Sequence, residues 1–265
     1  MNDAVILTIN DAVATLTLNR AEVHNAFDDA MIAQFNDHLA RLAAMPDLRA
    51  LVLRAAGKSF SAGADLAWMR RMASYSMAEN ITDAGGLATL MHQLDVLPMP
   101  TIAMVQGSAF GGGVGLVACC DIAIAVPSAK FCFSEVKLGL IPAVISPYAV
   151  AAIGARAARR YFLTAEIFDA ATALQLGLVH QMVEPEALEA ATNAMLDHLA
   201  QGGPGAQAAS KALIRTVSHR AIDADLMGET QLLIARQRAG AEGREGVEAF
   251  LQRRRPAFVK SGAKS

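Results

Sequence analysis

The sequence predicts an α/β core followed by a helical C-terminal region. Through about residue 185, short apolar segments typical of strands alternate with longer segments whose apolar residues recur at helical spacing. From there to residue 252 only helical patterns follow, and they are rich in alanine and leucine, which favour helices. Because Gly202-Gly203-Pro204 interrupts this stretch, we expect the core to comprise residues 1–200 and the helical region residues 201–265.

Local patterns predict the individual elements. Two strand patterns flank Asn10-Asp11, which is a candidate hairpin turn. Asp28 is expected to cap a helix that runs to about Met45, because apolar residues recur at helical spacing between them. Further strands are predicted at residues 50–54, 101–105, 121–126 and 130–133, and further helices at 66–73, 77–95, 113–120, 186–200, 205–217, 221–239 and 243–252.

The composition argues against several classes of protein. Hydrophobic residues make up 54% of the chain and charged residues 18%, so a sizeable core is expected and intrinsic disorder is not. The formal net charge of −2 argues against a nucleic-acid partner. No stretch of 18 uninterrupted apolar residues is present, so no membrane span is expected, and no secretory signal is visible at the N-terminus.

Cysteine and histidine usage indicates a reduced, cytoplasmic protein without a metal centre. The three cysteines, Cys119, Cys120 and Cys132, lack the spacing of metal ligands and of disulfide partners, so we expect small buried side chains. The six histidines are dispersed and form no ligand pattern, so no metal site is expected.

Two loops of small residues, each following a predicted strand, are the strongest functional signal. Gly111-Gly112-Gly113 follows strand 101–105, and Phe60–Asp65 follows strand 50–54. Tight turns of this kind leave backbone N–H groups exposed, and two converging N–H groups stabilise a developing oxyanion. Ala64 and Gly112 are the candidate donors. The glycines match neither the phosphate-binding P-loop nor the dinucleotide-binding fingerprint.

Glu135 is a lone carboxylate within an apolar segment, Phe131–Val136. Its apolar neighbours are expected to raise its pKa, which suits a group that both accepts and returns a proton near neutral pH. Together with the two loops, this carboxylate suggests the chemistry of a thioester enolate.

The order and spacing of several motifs resemble the enoyl-CoA hydratase/isomerase (crotonase) family over nearly the whole chain. The matching segments are Leu18-Asn19-Arg20, Asn25-Ala26, Phe60–Leu66, Ala109–Gly113, Cys120-Asp121-Ile122, Ala129-Lys130-Phe131 with Glu135, Gly139–Pro142, Ala173–Val179, Glu245–Phe250 and Arg255-Pro256.

This resemblance implies a spiral of ββα repeats that forms two roughly perpendicular sheets, followed by a helical trimerisation region. It also implies a coenzyme A thioester substrate, no separate cofactor, and a homotrimer or homohexamer. The thioester carbonyl is expected between the N–H groups of Ala64 and Gly112. Further contacts with the substrate or its coenzyme A are expected from His24, Ala26, Ala62, Asp65, Leu66, Trp68, Gly111, Ser134, Phe258 and Lys260.

The chain also departs from the family pattern. Common hydratases of the family carry two glutamates; the second matches Glu135, but the first position is Gly115 here. One carboxylate suits a hydratase that uses Glu135 for both proton transfers, or a Δ3–Δ2 isomerase. A member that binds acyl-CoA without turnover is the third alternative. The dehalogenases of the family use an aspartate at the position of Ala143, so dehalogenation is not expected.

The segment from Gly111 to Tyr148 most resembles that of bacterial methylglutaconyl-CoA hydratase-like members. This subtype implies a branched enoyl-CoA that carries a carboxylate, as in leucine catabolism. Arg70, Arg71 and Lys137 are candidates to pair with such a carboxylate or with coenzyme A phosphates. Solvated charges on a helix face are the alternative interpretation of all three.

Overall fold

Two sheets surrounded by helices make up the computed structural model, which describes residues 3–259. The strands are β1 (Val5–Asn10), β2 (Val13–Leu18), β3 (Ala50–Ala55), β4 (Thr101–Val105), β5 (Ala109–Phe110), β6 (Ile122–Ala125), β7 (Lys130–Cys132), β8 (Phe168–Asp169) and β9 (Gln181–Met182). The helices are α1 (Asp29–Ala43), α2 (Leu66–Met72), α3 (Met77–Val96), α4 (Gly112–Cys119), α5 (Ser146–Thr164), α6 (Ala170–Leu176), α7 (Leu188–Ala200), α8 (Pro204–Val217), α9 (Ala224–Ala239) and α10 (Ala241–Leu251).

The larger sheet has the strand order β1-β2-β3-β4-β6-β9, and the smaller sheet has the order β5-β7-β8. Only the β1–β2 hairpin is antiparallel in the larger sheet; the other neighbours are parallel and are joined by crossover connections that contain helices. The predicted α/β core with a helical C-terminal region is therefore confirmed.

The hairpin turn lies one residue later than predicted. Asn10 pairs with Val13, so the two turn residues are Asp11 and Ala12 rather than Asn10 and Asp11. Asp11 adopts a φ of 53°, a left-handed conformation that aspartate tolerates better than most residues.

The core lies between the larger sheet and its helices. β3 and β4 are buried along almost their whole length, as expected for strands covered on both faces. Helix α1 begins after Asp28, whose side chain accepts a hydrogen bond from the Met31 N–H, and its apolar face is buried through Phe35 and Leu39. This packing fixes the strand ends from which the two small-residue loops emerge.

The three cysteines are buried free thiols, as predicted. Burial raises the pKa of the Cys120 thiol to about 12, so this group is a packed side chain rather than a nucleophile. Among residues 3–259, no helix is long and apolar enough to cross a membrane. Within the same range, no cluster of three or more His, Cys, Asp or Glu side chains is arranged to bind a metal ion.

The C-terminal helices α8, α9 and α10 bury few of their own side chains in the single chain. Helix α8 has no buried residue, α9 has Leu226 and α10 has Ala249. Two long side chains tie this region to the core: Lys211 pairs with Asp121 at 2.7 Å, and Arg49 donates to the Phe258 carbonyl at 2.9 Å. The boundary between residues 200 and 201 coincides with the end of α7, and its status as a domain boundary stays a prediction.

Candidate active site

The two small-residue loops are hydrogen-bonded to each other. Ser61 and Ala109 form a parallel bridge, and the Phe110 N–H donates to the Ser61 carbonyl at 2.8 Å. Glycine is required where the loops touch, because a Cβ on Gly113 would lie 2.8 Å from the Ser61 Cβ. Gly63 adopts a φ of 89°, and a Cβ there would lie 3.1 Å from the Phe110 carbonyl oxygen. The pair of loops predicted from sequence is therefore one structural unit.

Ala64 presents its N–H to the cavity because of how its neighbours pair with Phe27. The Phe27 N–H donates to the Gly63 carbonyl, and the Asp65 N–H donates to the Phe27 carbonyl, each at 2.7 Å. Backbone groups alternate in direction along an extended strand, so the Ala64 N–H points away from Phe27. No group among the described residues accepts a hydrogen bond from it.

Gly112 presents the second N–H because it is the first residue of helix α4. The N–H groups of a first helical turn have no carbonyl four residues earlier within the helix, and the helix dipole adds partial positive charge there. Within the described part of the chain, the Gly112 N–H has no acceptor. The Phe27 ring packs against this residue, since a Cβ on Gly112 would lie 3.0 Å from the Phe27 Cε2.

Glu135 lies opposite these donors at the start of a short 3-10 helix, Glu135–Leu138. Its Oε1 lies 3.2 Å from where a Cβ on Gly111 would be, which brings the carboxylate next to the glycine loop. Its Oε2 is buried and has no hydrogen-bond partner within residues 3–259. Burial raises the pKa of Glu135 above its ordinary value, although its own backbone N–H lowers it slightly.

One cavity of about 340 Å³ joins both donors and the carboxylate. Among the described residues that line it, Ser134, Glu135 and the indole N–H of Trp68 are the polar side-chain groups, and the other side chains are apolar or absent, as in glycine. The lining residues are Phe27, Ala62, Gly63, Ala64, Trp68, Met69, Met72, Ala84, Leu87, Gly111, Gly112, Ser134, Glu135, Leu138, Leu140, Ile141, Pro142, Ala143, Val144 and Ile145.

The space for a second carboxylate is occupied by Ile145. A Cβ on Gly115 would lie 2.4 Å from the Ile145 Cγ2 and 3.0 Å from the Met91 Cε. Any side chain at position 115 would therefore collide with Ile145, which itself lines the cavity. The site is built around a single glutamate.

The chain is similar to known proteins over nearly its whole length. The sequence model of the family described as enoyl-CoA hydratase/isomerase matches residues 8–261 of this chain. The chain belongs to the enoyl-CoA hydratase/isomerase family. Its members share the crotonase fold, and the substrate of this enzyme is an acyl-CoA thioester.

Individual relatives of the family cover almost the whole chain. The crystal structure of an enoyl-CoA hydratase from Shewanella pealeana superposes with a TM-score of 0.93, with 47% identity over 96% of this chain and 95% of that one. The crotonyl-CoA hydratase of Syntrophomonas wolfei is 31% identical, over 96% of this chain and 97% of its own length. The (E)-benzylidenesuccinyl-CoA hydratase of Thauera aromatica is 32% identical, over 96% and 98%.

The structure brings seven of the predicted site residues together in the cavity lining. They are Ala62, Ala64, Trp68, Gly111, Gly112, Ser134 and Glu135. The Trp68 indole N–H donates to the Asp83 carboxylate at 3.0 Å, so its ring is held in place as part of the cavity wall.

Four other predicted residues lie on the segments that lead into the cavity but do not line it. His24 is exposed and its Nδ1 lies 3.0 Å from the Ser59 Oγ, whereas Ala26 is buried. Leu66 is exposed at the start of α2. The Asp65 carboxylate is engaged by protein groups: burial alone would raise its pKa, but the Trp68 and Ala67 N–H groups and Arg20 together hold that pKa below its ordinary value.

Of the two predicted residues at the C-terminus, only Phe258 is described, and it does not line the cavity. The Phe258 ring lies close to Gly246 of helix α10, and its expected contact with a neighbouring subunit's coenzyme A stays a prediction. Lys260 lies outside the described residues.

Sequence reasoning missed Phe27 and Ile145. Phe27 contacts both donor residues, through its backbone at Ala64 and its ring at Gly112. The signal for Ile145 was present in Gly115, since a glycine in the middle of a buried helix indicates that something large packs against it.

Proposed function

We propose that this enzyme adds water to a 2-enoyl-CoA, with Glu135 as its single acid/base group and the Ala64 and Gly112 N–H groups as oxyanion donors. The main support is that Ala64, Gly112 and Glu135 line the same cavity. In addition, neither N–H group nor the Glu135 Oε2 has a hydrogen-bond partner among the described residues.

The steps of the proposed hydration balance with one carboxylate. Glu135 accepts a proton from water as the water oxygen bonds to C3, and the electrons of the C2–C3 double bond move to the thioester oxygen. The two N–H groups stabilise that oxyanion, and removing one such donor typically costs about 10²–10³ in rate. Glu135 then returns the proton to C2, which regenerates the thioester carbonyl and the free carboxylate.

The raised pKa of Glu135 suits both halves of this cycle. A carboxylate with an ordinary pKa is a weak base, whereas one destabilised by burial accepts a proton from water more readily. The Glu135 Oε2 has no partner among the described residues, so the carboxylate keeps a hydrogen-bonding position that no protein group fills.

A Δ3–Δ2 enoyl-CoA isomerase is the second candidate, and the packing of Ile145 against Gly115 favours it. Isomerisation needs one base that removes a proton from C2 and delivers it to C4, and it needs no bound water. An apolar wall in place of a second carboxylate suits such a reaction. The non-catalytic alternative is the weakest, because a structural role gives no reason for a buried and unpaired Glu135 Oε2.

For the acyl group, we propose a branched enoyl chain that carries a carboxylate, such as 3-methylglutaconyl-CoA. The cavity lining itself contains no cation among the described residues, so the carboxylate has to reach its rim. Arg70 adjoins the lining residue Met69, and Lys137 lies between the lining residues Glu135 and Leu138; both are exposed. The benzylidenesuccinyl-CoA named for the Thauera aromatica relative is likewise an enoyl-CoA of a dicarboxylic acid.

The proposed assembly is a homotrimer or homohexamer in the cytoplasm, with coenzyme A present only as part of the substrate. Support for the assembly comes from exposed apolar side chains on the C-terminal helices. Ile214 of α8, Leu232 of α9 and Phe250 of α10 are exposed in the single chain, and apolar faces of this kind are typical of subunit interfaces.

Substrate comparison tests this proposal. Initial rates with crotonyl-CoA and 3-methylglutaconyl-CoA report hydration, and 3-butenoyl-CoA reports isomerisation to crotonyl-CoA. We expect the highest kcat/KM with 3-methylglutaconyl-CoA, and a selective loss of that preference in Arg70→Gln or Lys137→Gln. Faster turnover of 3-butenoyl-CoA with no hydration of either other substrate would instead identify an isomerase.

A further inference from the structure

We infer that Arg20 and Asp65 form a positioning pair that orients the oxyanion donor Ala64. The inference rests on the proposed function only in assigning Ala64 as a donor. Neither side chain lines the cavity. Both therefore act on the reaction indirectly, by fixing the backbone that carries the Ala64 N–H.

Arg20 holds the segment on one side of the donor. One guanidinium nitrogen donates to the Ala26 carbonyl at 2.7 Å and lies 2.9 Å from the Asp28 carboxylate. Ala26 and Asp28 immediately precede and follow Phe27, whose backbone pairs with Gly63 and Asp65. The other nitrogen, Nη2, lies 3.0 Å from the Asp65 carboxylate. One guanidinium therefore joins both strands of the pairing that directs the Ala64 N–H.

The backbone of Arg20 is itself fixed by Asn25. The Asn25 side chain is completely buried; its Oδ1 accepts from the Arg20 N–H at 2.9 Å, and its Nδ2 donates to the Ala56 and Ser59 carbonyls, each at 2.8 Å. Arg20 is thus anchored at both ends. It is a rigid connection rather than a mobile surface charge.

Asp65 holds the other side. Its N–H donates to the Phe27 carbonyl, one carboxylate oxygen accepts from the Ala67 and Trp68 N–H groups at 2.8 and 3.2 Å, and the second oxygen meets Arg20. The Asp65 carbonyl also accepts from the Met69 N–H at 2.8 Å, so the residue after Ala64 is held by five hydrogen bonds. The Ala64 N–H belongs to the Gly63–Ala64 peptide, whose carbonyl accepts from the Phe27 N–H, and the bonds of Asp65 fix the peptide that follows it.

The Arg20–Asp65 pair is more buried than the exposed ion pairs of the described residues. The side chains of Arg20 and Asp65 are 19% and 11% exposed, whereas those of Arg160 and Glu166 are 64% and 36% exposed. Exposed pairs contribute little, whereas loss of the Asp65 charge leaves the Arg20 guanidinium paired with Asp28 alone, so it no longer holds the two strands of the pairing together. Movement of either strand displaces the Ala64 N–H from the oxyanion. A small error in the position of this N–H lowers the rate strongly.

Asp65→Asn tests this account with little change of shape, because the amide oxygen can still cap α2 while the charge that faces Arg20 is lost. We expect kcat to fall by about 10–10², part of the effect of losing an oxyanion donor, with KM changed less than about threefold. In Arg20→Lys, kcat should fall by a similar factor, since one ammonium cannot contact both Asp65 and the Ala26–Asp28 segment as the guanidinium does. Arg160→Gln, which removes an exposed pair, is the matched control and should keep wild-type kcat.

A binding measurement separates positioning from a merely structural role. Acetoacetyl-CoA forms an enolate with a distinct near-ultraviolet absorbance, and butyryl-CoA cannot form a comparable one. In Asp65→Asn and Arg20→Lys we expect weaker stabilisation of the bound enolate and an unchanged Kd for butyryl-CoA. An equal loss of affinity for acetoacetyl-CoA and butyryl-CoA, or an unchanged kcat in both variants, would overturn the inference. Failure of the wild-type enzyme itself to stabilise the enolate would instead overturn the proposed oxyanion site.

Discussion

In the proposed mechanism the chemistry depends on Glu135, whose environment suits a single carboxylate that both accepts and returns the proton. It is buried beside the glycine loop, one of its oxygens has no partner among residues 3–259, and its pKa is raised by burial. These properties make it a stronger base than an exposed glutamate and a weaker contributor to the stability of the fold.

Glu135→Gln is expected to lower kcat by about 10²–10⁴ while leaving the Kd of butyryl-CoA nearly unchanged, because the amide keeps the shape but cannot accept the proton. Steady-state kinetics give kcat, and equilibrium binding gives the Kd of butyryl-CoA. Glu186→Gln, at an exposed glutamate, is the control. A near-normal kcat in Glu135→Gln would remove Glu135 from the mechanism.

The same variant is expected to be more stable than the wild type at neutral pH. Because the folded-state pKa of Glu135 is raised, the folded protein binds this proton more tightly than the unfolded chain does. The wild type therefore loses stability as the pH rises through the interval from the unfolded to the folded pKa, and the glutamine variant does not. Urea denaturation should show a gain at neutral pH that shrinks as the pH falls towards about 4.3. A gain independent of pH would contradict this account.

Among the helices, α4 begins at Gly112 and is proposed to supply the second donor through the N–H of that residue. Gly112→Pro removes the N–H but is compatible with the first position of a helix, so activity should fall by at least about 10² without loss of the fold. Gly112→Ala introduces the same Cβ beside Phe27 while keeping the N–H. If the alanine variant loses as much activity as the proline variant, crowding rather than the missing donor is responsible.

The packing of α4 against the start of α5 closes the site where a second carboxylate would stand. Gly115→Ala places a Cβ 2.4 Å from the Ile145 Cγ2, and such overpacking typically costs about 1–3 kcal/mol. Ile145→Ala should relieve it, so the double variant is expected to be more stable than the sum of the single variants predicts. Additive free energies of unfolding would mean that the two residues are not in competition for one space.

The sequence predicted those features of the helices and loops that depend on short segments of the chain. The caps, the helical spacing and the two small-residue loops are properties of short segments, and the structure confirms helices such as α1, α3 and α8 close to their expected bounds. The pairing of Phe27 with Ala64 and the filling of the Gly115 space by Ile145 depend on contacts between distant segments. No local pattern encodes these contacts, although Gly115 marks the place.

At the scale of the whole molecule, the C-terminal helices expose more apolar surface than a single chain explains. Phe250 is 82% exposed at the end of α10. We expect Phe250→Glu to shift the proposed trimer or hexamer towards monomer in size-exclusion chromatography with light scattering, since a charge at an apolar interface is costly. Met77→Glu, which changes an exposed methionine of α3, is the control. An unchanged mass for Phe250→Glu would place the interface elsewhere.

One glutamate and two backbone donors are proposed to suffice for the hydration of an enoyl thioester. The most direct measurement is mass spectrometry of the thioester products after incubation of the wild type and Glu135→Gln with crotonyl-CoA and 3-methylglutaconyl-CoA in H₂¹⁸O. We predict a labelled 3-hydroxyacyl-CoA from the wild type, formed about 10²–10⁴ times more slowly by the variant. No label from the wild type with either substrate, or equal labelling by both proteins, would contradict the account.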